Sequence, residues 1–264
     1  MRDSNQNIQH PGSSIQHRPE STSNENKRPW LHLDLGLMDY GQAWNLQFNL
    51  VNARRDRVLD SDLVMFLEHP PVFTLGRRGG LDNLKVPKPF LDSQGISVVH
   101  VERGGDITYH GPGQLIVYPI VNLRSAGWKV VDFVDALEEV MIRTVADWGI
   151  TAERNPLNRG AWVGLSKIGS IGIAVRRFIS FHGLALNVST GLEPFNWVHP
   201  CGLQGVSVVS MTEITGKEIP MGDVRLAARR HMENIFHVRL APVSLEEVQN
   251  LLTALPSVES RKAL

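Results

Sequence analysis

The chain has a single cysteine in 264 residues, Cys201. One thiol excludes an internal disulfide and any zinc site built from several cysteines, and it fits a reducing compartment. Neither sign of charge is in excess: Lys+Arg and Asp+Glu both number 27. No global field therefore steers the protein toward nucleic acid or an anionic membrane. No apolar run approaches the ~20 residues of a bilayer-spanning helix. Several enzyme motifs are missing as well. There is no G-x-x-x-x-G-K-[ST] phosphate loop, no H-E-x-x-H and no carboxylate–histidine cluster at metal-ligand spacing. Gly169-Ser170-Ile171-Gly172 is not the G-x-S-x-G elbow of serine hydrolases. What is present, 42% hydrophobic and 20% charged residues, is ordinary for a soluble globular domain with a substantial core.

Residues 1–29 are rich in Ser, Asn, Gln, His and Pro, with Ile8 and Ile15 as the only aliphatic side chains after Met1. Such a segment buries too little surface to offset its ordering cost and reads as a disordered tail. It lacks the apolar core of a secretory signal. Asp3, Glu20 and Glu25, without an amphipathic pattern, argue against a mitochondrial transit peptide. The expected location is the cytoplasm. Residues 30–264 read as one domain, with C-terminal helices from about 223.

A first strand is expected at 30–35. Asp39 and Gln42 form a capping pair ahead of Ala43, Leu46, Leu50 and Val51 at helical spacing. Strands follow at 63–67 and 72–75, separated by His69-Pro70-Pro71, and again at 98–101 and 115–121. Asp132 is expected to cap a helix bearing Phe133, Leu137, Val140, Met141, Val145 and Trp148, stopped by Gly149. Further strands are read at 162–163, 171–175, 178–181 and 184–188. Helices at 223–236 and 244–255 follow, the last opening on a Ser244/Glu247 capping box. Strands in clusters, without strict βαβ alternation, predict an α/β fold of the α+β type: a mixed sheet with packed helices. In 171–175, Ile171, Ile173 and Val175 alternate with Gly172, Ala174 and Arg176. The small-residue side is expected to leave room for something flat or elongated.

The segment Arg103-Gly104-Gly105-Asp106-Ile107-Thr108-Tyr109-His110-Gly111-Pro112-Gly113 concentrates four glycines around a Thr-Tyr-His core. Glycine at that density suits sharp turns or a backbone close to a ligand. Cys201 stands in a Pro-Cys-Gly turn. A lone cysteine usually packs as a small hydrophobe, but a turn exposes a thiol, and a nearby cation favours the nucleophilic thiolate. Lys167, in an apolar, glycine-rich run, is the candidate cation; partial desolvation would also suit it to proton transfer. The plainer account is a lysine guarding a strand edge. His110 and His182 are titratable candidates that more often serve as buried hydrogen-bond partners. His199 precedes the cysteine turn, but adjacency in sequence does not aim two side chains at each other. Gly76-Arg77-Arg78-Gly79-Gly80 has the residues of an anion cradle, and a solvated turn is its plainer account.

Three segments taken in order resemble the lipoyl(octanoyl) transferase family. They are Arg103 through Gln114, then Lys167–Gly172 with Ser180–Val188, and His199-Pro200-Cys201-Gly202. The resemblance spans about residues 30–216. It implies the fold of biotin and lipoate ligase catalytic domains and one catalytic domain here. It also implies transfer of an octanoyl group from octanoyl-acyl carrier protein to a lysine of lipoyl domains, in 2-oxoacid dehydrogenase complexes and the glycine cleavage H protein. By position, Cys201 would carry the acyl thioester and Lys167 would activate it. Arg103, Gly104, Gly105, Asp106, Ile107, Thr108, Tyr109 and His110, with Ser170, Ile171, Gly172, His182, Gly183 and Leu184, would line the acyl substrate. No cofactor, ATP or metal is implied, because the phosphopantetheine thioester is already activated. Ser166 departs from the family, where a basic residue is common before the lysine; His199 fills a variable position. Two other readings stand beside this one: an ATP-dependent lipoate or biotin ligase on the same fold, and a non-catalytic acyl- or lipoyl-domain binding module.

Overall fold

The computed structural model describes residues 28–155, 158–198 and 206–253. Its centre is β6 (Gln114–Ile120), a seven-residue strand buried along its whole length. To one side of it lie β2 (Leu63–Glu68), β1 (Arg28–Leu37) and β12 (Val238–Pro242). To the other lie β10 (Ile179–Asn187), β9 (Ser166–Arg176), β8 (Gly160–Val163) and β7 (Glu153–Arg154), and β11 (Ser207–Val208) joins β9. β12, β1 and β2 run parallel, as do β11 and β9; the remaining pairs are antiparallel. The sheet is therefore mixed, as the clustered strands predicted.

Alternation along β6 divides the core. Leu115 and Val117 meet Phe133, Leu137 and Val140 of α4 (Val130–Ala146) and Met232 and Phe236 of α6 (Met221–Phe236). Ile116, Tyr118 and Ile120 meet Leu46 and Leu50 of α1 (Tyr40–Arg55) and Val248 of α7 (Leu245–Thr253). Period-2 side chains on a strand buried from both sides give this two-faced packing. A second sheet has the order β4 (Ser97–His100), β3 (Val72–Leu75), β5 (Ile107–His110). Phe73, Leu75, Ile107 and Tyr109 form its core with Leu91 of α2 (Lys88–Ser93). This small sheet presents the glycine-rich segment to the main one.

Local chemistry accounts for most boundaries. The Asp39 carboxylate accepts from the Gln42 N–H at 3.0 Å and starts α1. At α7 the Ser244 hydroxyl accepts from the Glu247 N–H, and Glu247 accepts from the Ser244 N–H, closing the expected box. Two expectations are corrected. Asp132 does not cap α4: Lys129 holds that position with no side-chain bond, and Asp132 lies in the first turn, where its charge favours the helix dipole. Also, β1 begins at Arg28, inside the stretch assigned to the tail, because Arg28 and Pro29 pair with Val238 and Arg239. The rest of that tail lies outside the described residues. No helix among the described residues is long and apolar enough to cross a membrane.

Candidate functional site

Lys167 is not at a strand edge. It pairs with Trp162 of β8 and with Val208 of β11, and only 4% of it is exposed. Its ammonium donates to the Asn158 side-chain carbonyl at 2.6 Å and lies 5.4 Å from the Trp162 ring centre. Gly160 supports the aliphatic stem. A Cβ there would sit 2.7 Å from Lys167 Cε and 2.3 Å from the Gly169 carbonyl oxygen, and its φ of 138° suits only glycine. The Gly160 N–H in turn donates at 2.7 Å to the buried Glu138 carboxylate on α4. Burial raises the Glu138 pKa, against the pull of that hydrogen bond and of Arg159 and Arg154. A buried carboxylate thus fixes the glycine that fixes the lysine.

The strand beside Lys167 begins six residues after Cys201 in the sequence. Ser207 and Val208 lie in register with Ser166 and Lys167, and the Val209 N–H donates to the Lys167 carbonyl at 3.0 Å. Upstream, Val198 bridges to Leu84, and the Lys85 N–H donates to the Trp197 carbonyl at 2.8 Å. His199, Pro200, Cys201 and Gly202 lie outside the described residues.

A second polar centre forms where the small sheet meets the main one. Arg103, largely buried, donates through Nε and Nη2 to Thr74 Oγ1 at 3.2 and 2.8 Å and through Nη2 to the Thr74 carbonyl at 2.6 Å. Thr74 Oγ1 lies 3.4 Å from His110 Nε2, and His110 Nδ1 lies 2.7 Å from Gln114 Oε1. Gln114 Nε2 donates to Asn187 Oδ1 at 2.8 Å, and Asn187 Nδ2 donates to the Val209 carbonyl at 3.1 Å. The amide oxygen of Gln114 can only accept, so the network assigns the His110 proton to Nδ1. The relay ends on Val209, whose own N–H binds Lys167. It joins the segment led by Arg103 to the lysine.

Around this relay the histidines are neutral. His110 is pushed down to about 3, chiefly by burial and then by neighbouring His69. His69 is held near 4 by burial; its Nδ1 donates to the Met38 carbonyl at 2.7 Å and its Nε2 faces the Tyr118 hydroxyl at 2.9 Å. Burial also carries the Tyr118 hydroxyl well above its ordinary pKa. His182 is pushed down to about 4 by burial, although Glu102 opposes this from 3.5 Å. That spacing is too long for a good hydrogen bond, and His182 Nε2 has no hydrogen-bond partner among the described residues. His182 also has a φ of 55° inside β10, with its N–H turned onto Gln47 Oε1 of α1 at 2.7 Å. A strained, buried side chain with an unfilled polar atom is the arrangement expected beside a ligand.

The other expected residues are placed as follows. Gly172 pairs with Gly183, Ile171 with Leu184, and Ser170 with Ala185, so two of the expected segments are adjacent strands. The Gly104 N–H donates to the Ile173 carbonyl at 3.0 Å, which brings the third segment onto the same strand. The room expected beside Gly172 is filled, however. A Cβ there would meet Arg103 Cδ and the Gly104 carbonyl oxygen, each at 2.9 Å, so the small residue admits Arg103 itself. Asp106 accepts from the Ile107 N–H at 2.6 Å and from Asn83 at 2.7 Å. Thr108 pairs with Thr74, and the Ile107 and Tyr109 side chains enter the small-sheet core. In the run from Gly76 to Gly80, the N–H groups of Gly76, Arg77 and Arg78 bind the carbonyls of Asp106, Arg103 and Gly105. They brace the Arg103 turn and leave no cradle for an anion.

Sequence reasoning passed over Gln47, Asn158, Gly160 and Glu138, and it included Gln114 and Asn187 in the resembling segments without giving them a role. Gln47 and Glu138 did carry a signal: each is a polar residue at a core-facing position of an apolar helical stripe.

Comparison with known proteins bears on this geometry. A family model described as the lipoyl protein ligase A/B catalytic domain matches residues 39–233. The chain is 45% identical over 220 residues to an octanoyltransferase of Syntrophobacter fumaroxidans, covering 83% of this chain and 96% of that protein. It is 48% identical over 195 residues to an octanoyltransferase of Desulfotalea psychrophila, covering 73% and 87%. Among solved structures, it is similar to lipoate-protein ligase A bound with ATP, at a TM-score of 0.67 and 17% identity over 86% of this chain and 92% of that one. A structure from the bipartite lipoate protein ligase system of Thermoplasma acidophilum gives 0.68 and 18% over 86% and 91%. At such identities the structural likeness is one of fold.

Proposed function

The chain belongs to the lipoyl protein ligase A/B catalytic domain family, and on that premise we propose that it is an octanoyltransferase of protein lipoylation working through Cys201 and Lys167. The donor is octanoyl-acyl carrier protein. The acceptor is the lysine of a lipoyl domain, in 2-oxoacid dehydrogenase complexes or the glycine cleavage H protein, and the reaction belongs to the cytoplasm. In the first step the Cys201 thiolate attacks the octanoyl carbonyl carbon, a new C–S bond forms as the bond to the carrier sulfur breaks, and the carrier leaves as its thiol with the proton given up by the Lys167 ammonium. In the second, the acceptor amine attacks the same carbon, a C–N bond forms, and Cys201 is released as thiolate. The amine proton passes to Lys167. Exchange of one thioester for another is nearly balanced, whereas the amide is far more stable, so the second step drives the transfer. Splitting the reaction at a covalent intermediate replaces one difficult step by two easier ones. The donor arrives activated, so neither ATP nor a metal takes part.

The observation that carries this reading is the lysine. Lys167 is 4% exposed, wedged by Gly160 and hydrogen-bonded by Asn158, and it is paired with the strand that begins six residues after Cys201. Holding an ammonium in such a recess restricts it to a few orientations, which suits a group that steadies a thiolate and then moves a proton. The unfilled His182 Nε2 supports a substrate contact on the far side of the Gly172–Gly183 pair.

Incubation with octanoyl-carrier protein, without ATP, tests the proposal by intact mass. The expected result is a hydroxylamine-labile octanoyl adduct that is absent in Cys201→Ala and discharged by apo lipoyl domain. An adduct that requires ATP would identify a ligase instead. Binding without any adduct, unaffected by Cys201→Ala, would identify a non-catalytic module. Lys167→Ala is expected to slow adduct formation and move its pH optimum upward.

A further inference from the structure

The end of the main sheet away from Lys167 carries a groove of about 400 Å³ whose cations come from four separate segments. Arg28 opens β1; Arg54, Arg55 and Arg57 mark the exit of α1; Arg124 lies on α3 (Leu123–Ala126); Arg177 lies in the β9–β10 turn. At ~3.3 Å of rise per residue along β9, Arg177 is roughly 30 Å from Lys167. The chain as a whole balances its charges, but this groove does not. Asp62 takes Arg54 at 2.6 Å and approaches Arg28 at 3.9 Å, and Asp56 takes Arg55 at 2.7 Å. Asp60 lies on the lining. Among the described residues no carboxylate pairs with Arg57, Arg124 or Arg177.

Backbone strain collects in the same place. Five non-glycine residues among those described have positive φ, and three of them line this groove: Arg57 at 58°, Arg177 at 48° and Phe178 at 69°. Arg57 follows α1 where a left-handed glycine is usual. Arg177 and Phe178 form a two-residue hairpin turn with both φ positive, for which Asn-Gly is the preferred pair. A fold indifferent to these side chains would be more stable with glycine there. Strain that persists against that option marks positions whose side chains are used. The Phe178 ring is exposed and supports the Arg124 guanidinium at 4.5 Å from its centre.

We propose that this groove is a second binding site, for a ligand carrying two or more linked phosphate groups. Guanidinium forks match phosphate oxygens two at a time, and the volume lies within the range of small-molecule sites. Convergence from four segments on one concavity suits a compact anion. A docked acidic protein would need an apolar centre, and here the lining offers only Phe178 and Ile179. The site is independent of the acyl-transfer chemistry and lies far from it.

Calorimetric titration of the full chain with sodium tripolyphosphate, ADP and a hexaglutamate peptide tests this, in parallel with octanoyl transfer. Saturable binding of tripolyphosphate or ADP, one per chain, is expected. Arg57→Gly and Arg177→Gly should each weaken it roughly tenfold or more, the loss of a charge-assisted contact. Both glycines relieve positive-φ strain, so the ligand-free melting temperature should hold or rise, and octanoyl transfer should be unchanged. ADP bound more tightly than tripolyphosphate would assign the phosphates to a nucleotide; the reverse would assign a free oligophosphate. No saturable binding of either, equal binding by the glycine variants, or binding of hexaglutamate alone would overturn the proposal, the last in favour of an acidic protein.

Discussion

Two polar centres sit on the main sheet, and they treat charge in opposite ways. In the centre built around Arg103, three neighbouring histidines give up their protons: His110 at about 3, and His69 and His182 near 4, all through burial first. Their hydrogen bonds run to neutral groups, Thr74, Gln114, Tyr118 and the Met38 carbonyl, apart from the loose approach of His182 to Glu102. The Lys167 recess instead keeps a basic side chain buried among a carbonyl acceptor, an aromatic ring and a glycine. One centre is a braced wall of neutral imidazoles around the Arg103 cation; the other encloses a lysine side chain. The Gln114–Asn187–Val209 relay ties wall to recess, so geometry is shared while charge is not.

The sharpest break of that contrast removes the charge and keeps the shape. Lys167→Met retains a stem for Gly160 and Trp162, so thermal stability should change little. The rate of octanoyl-enzyme formation should fall by about a thousandfold, within the range for loss of a proton-transferring group. A rate within tenfold of the parent would remove Lys167 from the chemistry.

The wall of neutral imidazoles is tested by acid. His32 is also held near 4 by burial, then by Arg229. For each of these four histidines the folded pKa lies below the unfolded value of about 6.5. Between those values the unfolded chain binds more protons, so stability falls as pH falls from about 6.5 to 4, and it is fully present above 6.5. Each contributes about 1.4 kcal/mol per pH unit, or about 3 kcal/mol across the window. His69 and His182 both hold the His110 pKa down, so in the folded state each protonation makes the next one harder. Urea titrations from pH 7 to 4.5 should show a steep loss of stability. A flat profile would mean that these imidazoles are not buried neutral.

Next in size is the relay. Gln114→Leu leaves the His110 Nδ1 proton and the Asn187 amide oxygen unpaired in a buried site. The expected cost is about 2–3 kcal/mol by chemical denaturation, with a smaller loss of rate than at Lys167. A cost below about 0.5 kcal/mol would show that the two centres are not coupled through Gln114.

What the sequence disclosed follows from the range of each signal. Caps at Asp39 and Ser244 and the stripe from Phe133 to Val145 are local, and they predicted α1, α7 and α4 closely. Strand clustering predicted a mixed sheet. The pairing that buries Lys167 was not legible, because β11 is two residues long and sits on β9 from 41 positions away. A lysine between glycines and isoleucines looks the same at an edge or in an interior until its neighbours are known. Gly172 was read as leaving room for something flat or elongated, and that room is filled by Arg103, from 69 positions upstream. Asn158 carried no pattern at all, since a polar residue before a strand usually meets water.

Asn158 gives the smallest effect and the finest test of the recess. Its carbonyl accepts from the Lys167 ammonium at 2.6 Å but touches no substrate in the scheme above, so it acts by positioning. A hydrogen bond to a charged group contributes about 1.5–3 kcal/mol, and Asn158→Ala lets water replace part of it, so a loss of roughly tenfold in rate is expected. A fall in stability alone would not establish this role. The ammonium form loses a partner that the neutral form hardly needs, so the limb of the pH–rate profile governed by Lys167 should move to lower pH. Asn158→Asp restores an acceptor of the same shape and should recover the rate while moving that limb the other way. If alanine and aspartate lower the rate equally and leave the profile in place, Asn158 merely fills space, and the lysine is held by Gly160 and Trp162 alone among these three.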